Sequence, residues 1–369
     1  MTSKERILAV LQKKVPDRVP VSTYELNGWN PDSFENKEPS YKKLMDLIRE
    51  KTDCLYLTGT SYKNTYIKNN TSIEKKTEGI STISNIVLKT PKGDLRQITR
   101  VDSNIYTTWN LEHLLKTDED LARYMSIPDT LEKPDCSRIF DIEKRLGDKG
   151  ILLLDIGDPI CVVAELFEFG EFTIRALTQT EEIVKLLDKI YFSQLEHLKE
   201  VLRQVKNKGY CFRICGPEYA TPPYLSPEYF HEFVCKYDKE FIRLIKESGN
   251  YSRIHSHGKI AKVFDHFLEL SPDGLDPVEA PPSGDISLKE AKAKSKGKMC
   301  LFGNLQLRDL ENAKPEQMEK IVKDCMDEAK EGGGYAILPT AAPINTPLSP
   351  ITERNYGIFI ETSLKYGKY

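Results

Sequence analysis

The tripeptide His255-Ser256-His257 ends a short apolar run and holds two of the chain's six histidines. Side chains two apart on a strand share a face, so both imidazoles can project together at a spacing that chelates a metal. Zinc suits such donors, because it takes imidazole and carboxylate ligands and keeps an open position when catalytic. Glu279, one predicted strand further on, would complete a His2Glu set. The bland alternative is a pair of histidines bonded to buried carbonyls. A second cluster is Cys215-Gly216-Pro217-Glu218-Tyr219, where Gly and Pro stop a strand and leave Glu218 on the loop. A carboxylate there can orient a substrate, act as a base, reach the metal, or simply pair with Arg213. Cys215 reads as a small buried hydrophobe. Asp155 is an acid–base candidate, whereas Asp158 before Pro159 reads as a helix cap.

These residues need a scaffold that gathers strand ends. The predicted strands cover residues 18–26, 54–59, 151–157, 210–215, 251–257, 275–279, 299–303 and 335–339. Most are short, nearly continuous apolar runs, as buried parallel strands are. Amphipathic patterns over 41–51, 181–205, 227–247 and 315–330 predict helices between them. Eight right-handed βα steps close into a single (β/α)8 TIM barrel spanning residues 1–369. Residues 64–117 break the rhythm with alternating Thr, Ile, Val and Tyr around the turn Pro91-Lys92-Gly93-Asp94. They predict a β-hairpin insertion after the second strand, either a flap or a substrate wall. Catalytic groups of a barrel sit at the C-terminal strand ends. That rule selects Glu218 and Asp155 for catalysis, and Glu25, Asn27, Asn304 and Thr340 for substrate binding.

With 53 Lys and Arg against 56 Asp and Glu, the formal net charge of -3 removes the electrostatic footprint of a nucleic-acid binder. Apolar runs are too short for a membrane span, and the polar start lacks a signal-peptide core, so a cytoplasmic location is expected. The eight cysteines include no CxxC pair and read as reduced thiols. No GxGxxG follows a strand, and neither a P-loop nor a GxSxG elbow occurs.

Several stretches together resemble the uroporphyrinogen decarboxylase family: Glu5-Arg6-Ile7-Leu8, Pro16-Asp17-Arg18-Val19-Pro20-Val21, Ser226-Pro227-Glu228-Tyr229-Phe230, Ile254-His255-Ser256-His257-Gly258-Lys259, Gly303-Asn304-Leu305 and Thr346-Pro347. The resemblance implies a (β/α)8 barrel and one of two activities: cofactor-free decarboxylation of uroporphyrinogen, or methyl transfer to or from a corrinoid, commonly with zinc. The decarboxylases carry an Arg-Gln-Ala-Gly-Arg segment after the first strand, and this chain reads Glu25-Leu26-Asn27-Gly28-Trp29 there. The guanidinium forks that would hold substrate carboxylates are gone. The methyltransferase branch resembles His-x-Cys plus a later Cys. Here the second ligand position is His257 and the later one falls at Thr340 or Ala341. A zinc without thiolates is harder and suits polarising an ether oxygen. The expectation is therefore a methyltransferase acting on a small methylated substrate such as an O-methyl compound. Its corrinoid would come from a partner protein or as free cobalamin, since no Asp-x-His-x-x-Gly segment is present. A decarboxylase-like lyase is the alternative, and a homodimer is an open expectation.

Overall fold

The computed structural model describes residues 1–60 and 64–369. Seven strands form one parallel sheet in chain order: β1 (Cys54–Gly59), β6 (Gly150–Gly157), β7 (Cys211–Cys215), β8 (Tyr251–Ser256), β9 (Gly274–Pro277), β10 (Cys300–Leu305) and β11 (Tyr335–Pro339). Apolar residues on both faces explain the near-continuous runs. All residues of β9, β10 and β11 are buried. The helices expected over 181–205 and 315–330 appear as Thr180–Gln204 and Pro315–Ala329. The one expected over 227–247 is an α-turn, a π-turn over His231–Cys235, and the helix Lys236–Glu247.

Residues 18–26 form no strand. Val21 makes a single parallel bridge to Ile337. Around it, Ile337 N–H donates to the Pro20 carbonyl and Ser22 N–H to the Ile337 carbonyl, both at 3.0 Å, while Asp53 N–H donates to the Val21 carbonyl at 2.7 Å. This segment thus touches both edges of the parallel sheet. It cannot extend the ladder, because Pro20 has no N–H and Tyr24 turns the chain with φ of 58°.

The inner faces of the strands build a cluster that includes Leu55, Ile151, Leu153, Cys211, Phe302 and Leu338. The helix Ser3–Leu11 plugs one end of it with Ile7, Val10 and Leu11. Buried Asp53 fastens that plug by accepting from Arg6 and Arg18 at 2.7 Å each. Tyr24 belongs to the same inner cluster.

Between β1 and β6 the chain makes a separate antiparallel sheet of four strands, β2 (Thr71–Glu78), β3 (Ser81–Thr90), β4 (Gly93–Asp102) and β5 (Ile105–Glu112). The Pro91-Lys92 turn joins β3 and β4 as its sequence suggests, with Thr90 pairing Gly93. The sheet is larger than the expected hairpin. It leans on the segment after β11, where Tyr106 N–H donates to the Ile344 carbonyl at 2.8 Å, and on Phe34, 4.3 Å from the Tyr106 ring.

Candidate active site

Parallel register places the polar side chains in rows. Asp155 pairs with Arg213 and Arg213 with Arg253, while Cys215 pairs with His255 and His255 with Asp276. Residues two apart on one strand face the same way, so Arg213, Cys215, Arg253 and His255 share the inner face. Two guanidiniums and a carboxylate in an apolar interior must be paired, since isolated buried charge is too costly.

They are paired in one network. Asp276 is fully buried, 2.8 Å from Arg253 Nε and 2.7 Å from His255 Nδ1. His255 Nε2 lies 3.3 Å from the Tyr24 hydroxyl, which accepts a hydrogen bond from Arg213 Nη2 at 3.1 Å. Arg213 also reaches Asp155 at 3.3 Å and Glu25 at 3.5 Å. Burial works to raise the Asp276 pKa, but Arg253, His255 and Arg213 outweigh it and hold the carboxyl at about 2. Burial pulls His255 down to about 4 against the pull of Asp276. The imidazole is therefore neutral at pH 7. The pairing assigns its proton to Nδ1, donated to Asp276, and leaves Nε2 to accept from Tyr24. Burial raises the Tyr24 phenol far above its ordinary range. The phenol keeps its proton.

His257 lies one residue beyond β8 and faces a different partner. Its Nδ1 is 3.4 Å from Glu279 Oε2, which accepts from Gly258 N–H at 2.7 Å. Burial lowers the His257 pKa, but Glu279 and Glu218 more than offset it, so the net shift is upward. Burial likewise raises Glu279, yet His257 and the Gly258 amide bring it below its ordinary value.

Glu218 sits on the short 3-10 turn Pro217–Ala220 after β7. That turn packs tightly on the helix Pro159–Glu165. A Cβ on Gly216, at φ of 129°, would fall 2.1 Å from Cys161 Cβ and 2.6 Å from Asp158 Oδ1. Asp158 caps that helix as expected, accepting from Cys161 N–H at 2.8 Å. Burial raises the Glu218 pKa, and its Oε2 has no hydrogen-bond partner. Asp155, also raised by burial, keeps Arg213 as its neighbour.

The other expected substrate contacts are spent on the framework. Asn304 is buried, donating to the Val278 carbonyl at 3.0 Å and accepting from the Cys325 thiol on an outer helix. Thr340, also buried, accepts from Leu307 N–H at 3.4 Å and so anchors the helix after β10. Asn27 accepts from Trp29 N–H at 3.0 Å and shapes its own turn. Of the four, only Glu25 is open, with its side chain 44% exposed.

The expected zinc set does not fit as arranged. Both ring nitrogens of His255 are committed, and Glu279 is turned to His257 Nδ1 and the Gly258 amide. Among the described residues no group of three or more His, Cys, Asp or Glu is disposed to hold a metal ion.

A cleft of about 510 Å³ opens at the mouth between the turns after β7, β8 and β9, with Glu218, His257 and Glu279 on its wall. Phe169, Tyr219, Tyr224 and Lys259 also line it. A larger groove of about 900 Å³ lies between the outer helices Lys42–Lys51 and Pro350–Tyr366. Its wall carries surface pairs such as Lys43–Glu353 and none of the candidate residues, so the mouth cleft is the candidate site. Sequence reading missed Tyr24, Asp276 and the aromatic wall.

A curled parallel sheet with its polar network and cleft at the strand ends defines an α/β enzyme-type scaffold. The uroporphyrinogen decarboxylase (URO-D) family profile matches residues 110–351, about two thirds of the chain, and the chain belongs to that family. Its fold is similar to that of a methyltransferase from Methanosarcina mazei, with a TM-score of 0.61, 15% identity and 99% of each chain covered. A Bacteroidetes-affiliated GH5 cellulase aligns over 71% of this chain and 78% of its own at 8% identity, with a TM-score of only 0.39. No curated protein matches the sequence significantly. Among the described residues no helix is long and apolar enough to cross a membrane.

Proposed function

We propose that this chain is a methyltransferase, moving a methyl group between a small methylated substrate and a corrinoid brought to the mouth by a carrier protein or free in solution. The observation that carries the reading is that Arg213 and Arg253, the two arginines of the parallel strands, are buried and already ion-paired to carboxylates of this chain. They are held by Tyr24, Asp155, Glu25 and Asp276. A tetrapyrrole bearing many carboxylates needs free guanidinium forks, and desolvating each unpaired carboxylate costs several kcal/mol. A cleft of about 510 Å³ with aromatic walls suits a small, largely apolar group instead. The full-length fold likeness to a methyltransferase supports the same branch. Counting residues 18–26 as an irregular eighth stave makes the scaffold a closed (β/α)8 barrel, which the hydrogen bonds of that segment to both sheet edges support.

In this reading the protein supplies position and a shielded wall. The cleft holds the donor with its methyl towards the open mouth, where a reduced corrinoid can approach in line. A reduced corrinoid at the mouth would supply the electron pair that takes up the methyl carbon, and the pair of the broken bond would stay on the leaving group. No step is routed through zinc, because His257 and Glu279 are turned to one another and His255 to Asp276 and Tyr24. The test is the visible spectrum of a reduced corrinoid incubated with the protein and a panel of methylated donors. Methylation that requires all three components is expected, together with no enzyme-like decarboxylation of uroporphyrinogen. An unchanged corrinoid spectrum beside efficient coproporphyrinogen formation would overturn the proposal in favour of a lyase.

A further inference from the structure

The aromatic wall of the mouth cleft bears on the class of donor. Phe169 and Tyr224 meet edge to face, with centroids 4.7 Å apart at 86°, and Phe169 meets Tyr219 at 5.8 Å and 60°. Phe169 thus meets both tyrosines at steep angles rather than in a stack, and all three rings line the cleft. Glu218 stands on the same wall with Oε2 unpartnered. The second carboxylate, Glu279, is already engaged by His257, and Lys259 is exposed at the rim. Ring faces carry negative potential, so aromatic corners with a carboxylate attract cations that are too greasy to stay hydrated. We infer that the cleft takes a methylated ammonium group, seated against Phe169, Tyr219 and Tyr224 and compensated by Glu218.

The inference rests on the methyltransferase reading and narrows its substrate class from ethers to N-methyl cations. It also fits the lack of convergent metal donors among the described residues. An ether gives up its methyl only if the departing oxygen is polarised by a metal or an acid. A quaternary ammonium leaves as a neutral amine. The C–N bond breaks with its electron pair retained on nitrogen, the methyl carbon takes the pair offered by the reduced corrinoid, and no proton moves. The charge that Glu218 compensates is lost in that step, which favours release of the amine.

The test is calorimetric titration of the intact protein with choline and with its neutral isostere 3,3-dimethylbutan-1-ol. Choline should bind at least about tenfold tighter than the alcohol, the margin expected of a partly desolvated cation on aromatic faces. Glu218→Gln and Tyr224→Leu should each weaken choline by about tenfold while leaving the alcohol unchanged. Tyr224 is half-exposed, so its replacement tests the wall without endangering the fold. Equal affinity for both probes, or binding of neither, overturns the inference. The two readings fail separately. Cation-selective binding without methyl transfer to a reduced corrinoid removes the methyltransferase and keeps the cation site. Transfer from an ether donor by a protein indifferent to choline does the reverse.

Discussion

The hydroxyl of Tyr24 bridges Arg213 and His255, accepting from the guanidinium at 3.1 Å and lying 3.3 Å from the imidazole Nε2. Asp276 holds the other imidazole nitrogen at 2.7 Å, so one neutral histidine is fixed from both sides. Such a chain fixes the tautomer and the orientation of the ring, and each buried member depends on the next.

Removing one hydroxyl should therefore be felt. In Tyr24→Phe the ring still fills its place, but His255 Nε2 loses its donor and one Arg213 N–H loses its acceptor. A loss of about 1–3 kcal/mol of stability is expected, the cost of leaving buried polar groups unmade. Urea unfolding of parent and variant measures it, and identical midpoints would mean that water replaces the hydroxyl freely.

Acid should weaken the fold through the same histidine. Its native pKa of about 4 lies below the ordinary 6.5, so between these values the unfolded chain binds the extra proton and the native state does not. The contribution is fully present above pH 6.5 and is lost as pH falls towards 4, on the order of 3 kcal/mol. Asp276, held at about 2, adds a further loss only below its ordinary 3.8. Thermal midpoints from pH 7.5 to 4.5 should fall more steeply for the parent than for His255→Gln. Parallel curves would show that His255 does not titrate with unfolding.

The strand ends were legible because β11 and its neighbours are bounded apolar runs, and Asp158 before Pro159 could be read as a cap. Both charged residues in the runs Cys-Phe-Arg-Ile-Cys and Tyr-Ser-Arg-Ile-His, Arg213 and Arg253, were a usable signal: buried charge demands a partner. Asp276, inside Gly274–Pro277, is that partner and could have been sought on the same ground. Tyr24 could not, since its place depends on a positive φ in an irregular segment. Nor could the orientation of Asn304, because cross-strand geometry decides whether it meets the mouth or the Cys325 thiol. The His255-Ser256-His257 spacing correctly suggested two imidazoles at one strand end, 4.7 Å apart by ring centroid. It could not show that each would take its own carboxylate.

That division of partners predicts weak zinc binding. Protein purified without chelator should carry far less than stoichiometric zinc, and added zinc should leave the thermal midpoint unchanged, as ligands that must first give up their hydrogen-bond partners bind poorly. Stoichiometric zinc lost in His255→Ala and His257→Ala would restore the ligand role of both histidines.

The central claim is tested by following the methyl itself. Choline carrying trideuterated N-methyl groups is incubated with the protein and a reduced corrinoid, and both products are weighed by mass spectrometry. The account predicts a corrinoid heavier by one labelled methyl and an amine lighter by one, with Glu218→Gln slower by about tenfold through weaker binding. Label remaining wholly on the donor, with the corrinoid unmodified across the whole donor panel, would contradict it.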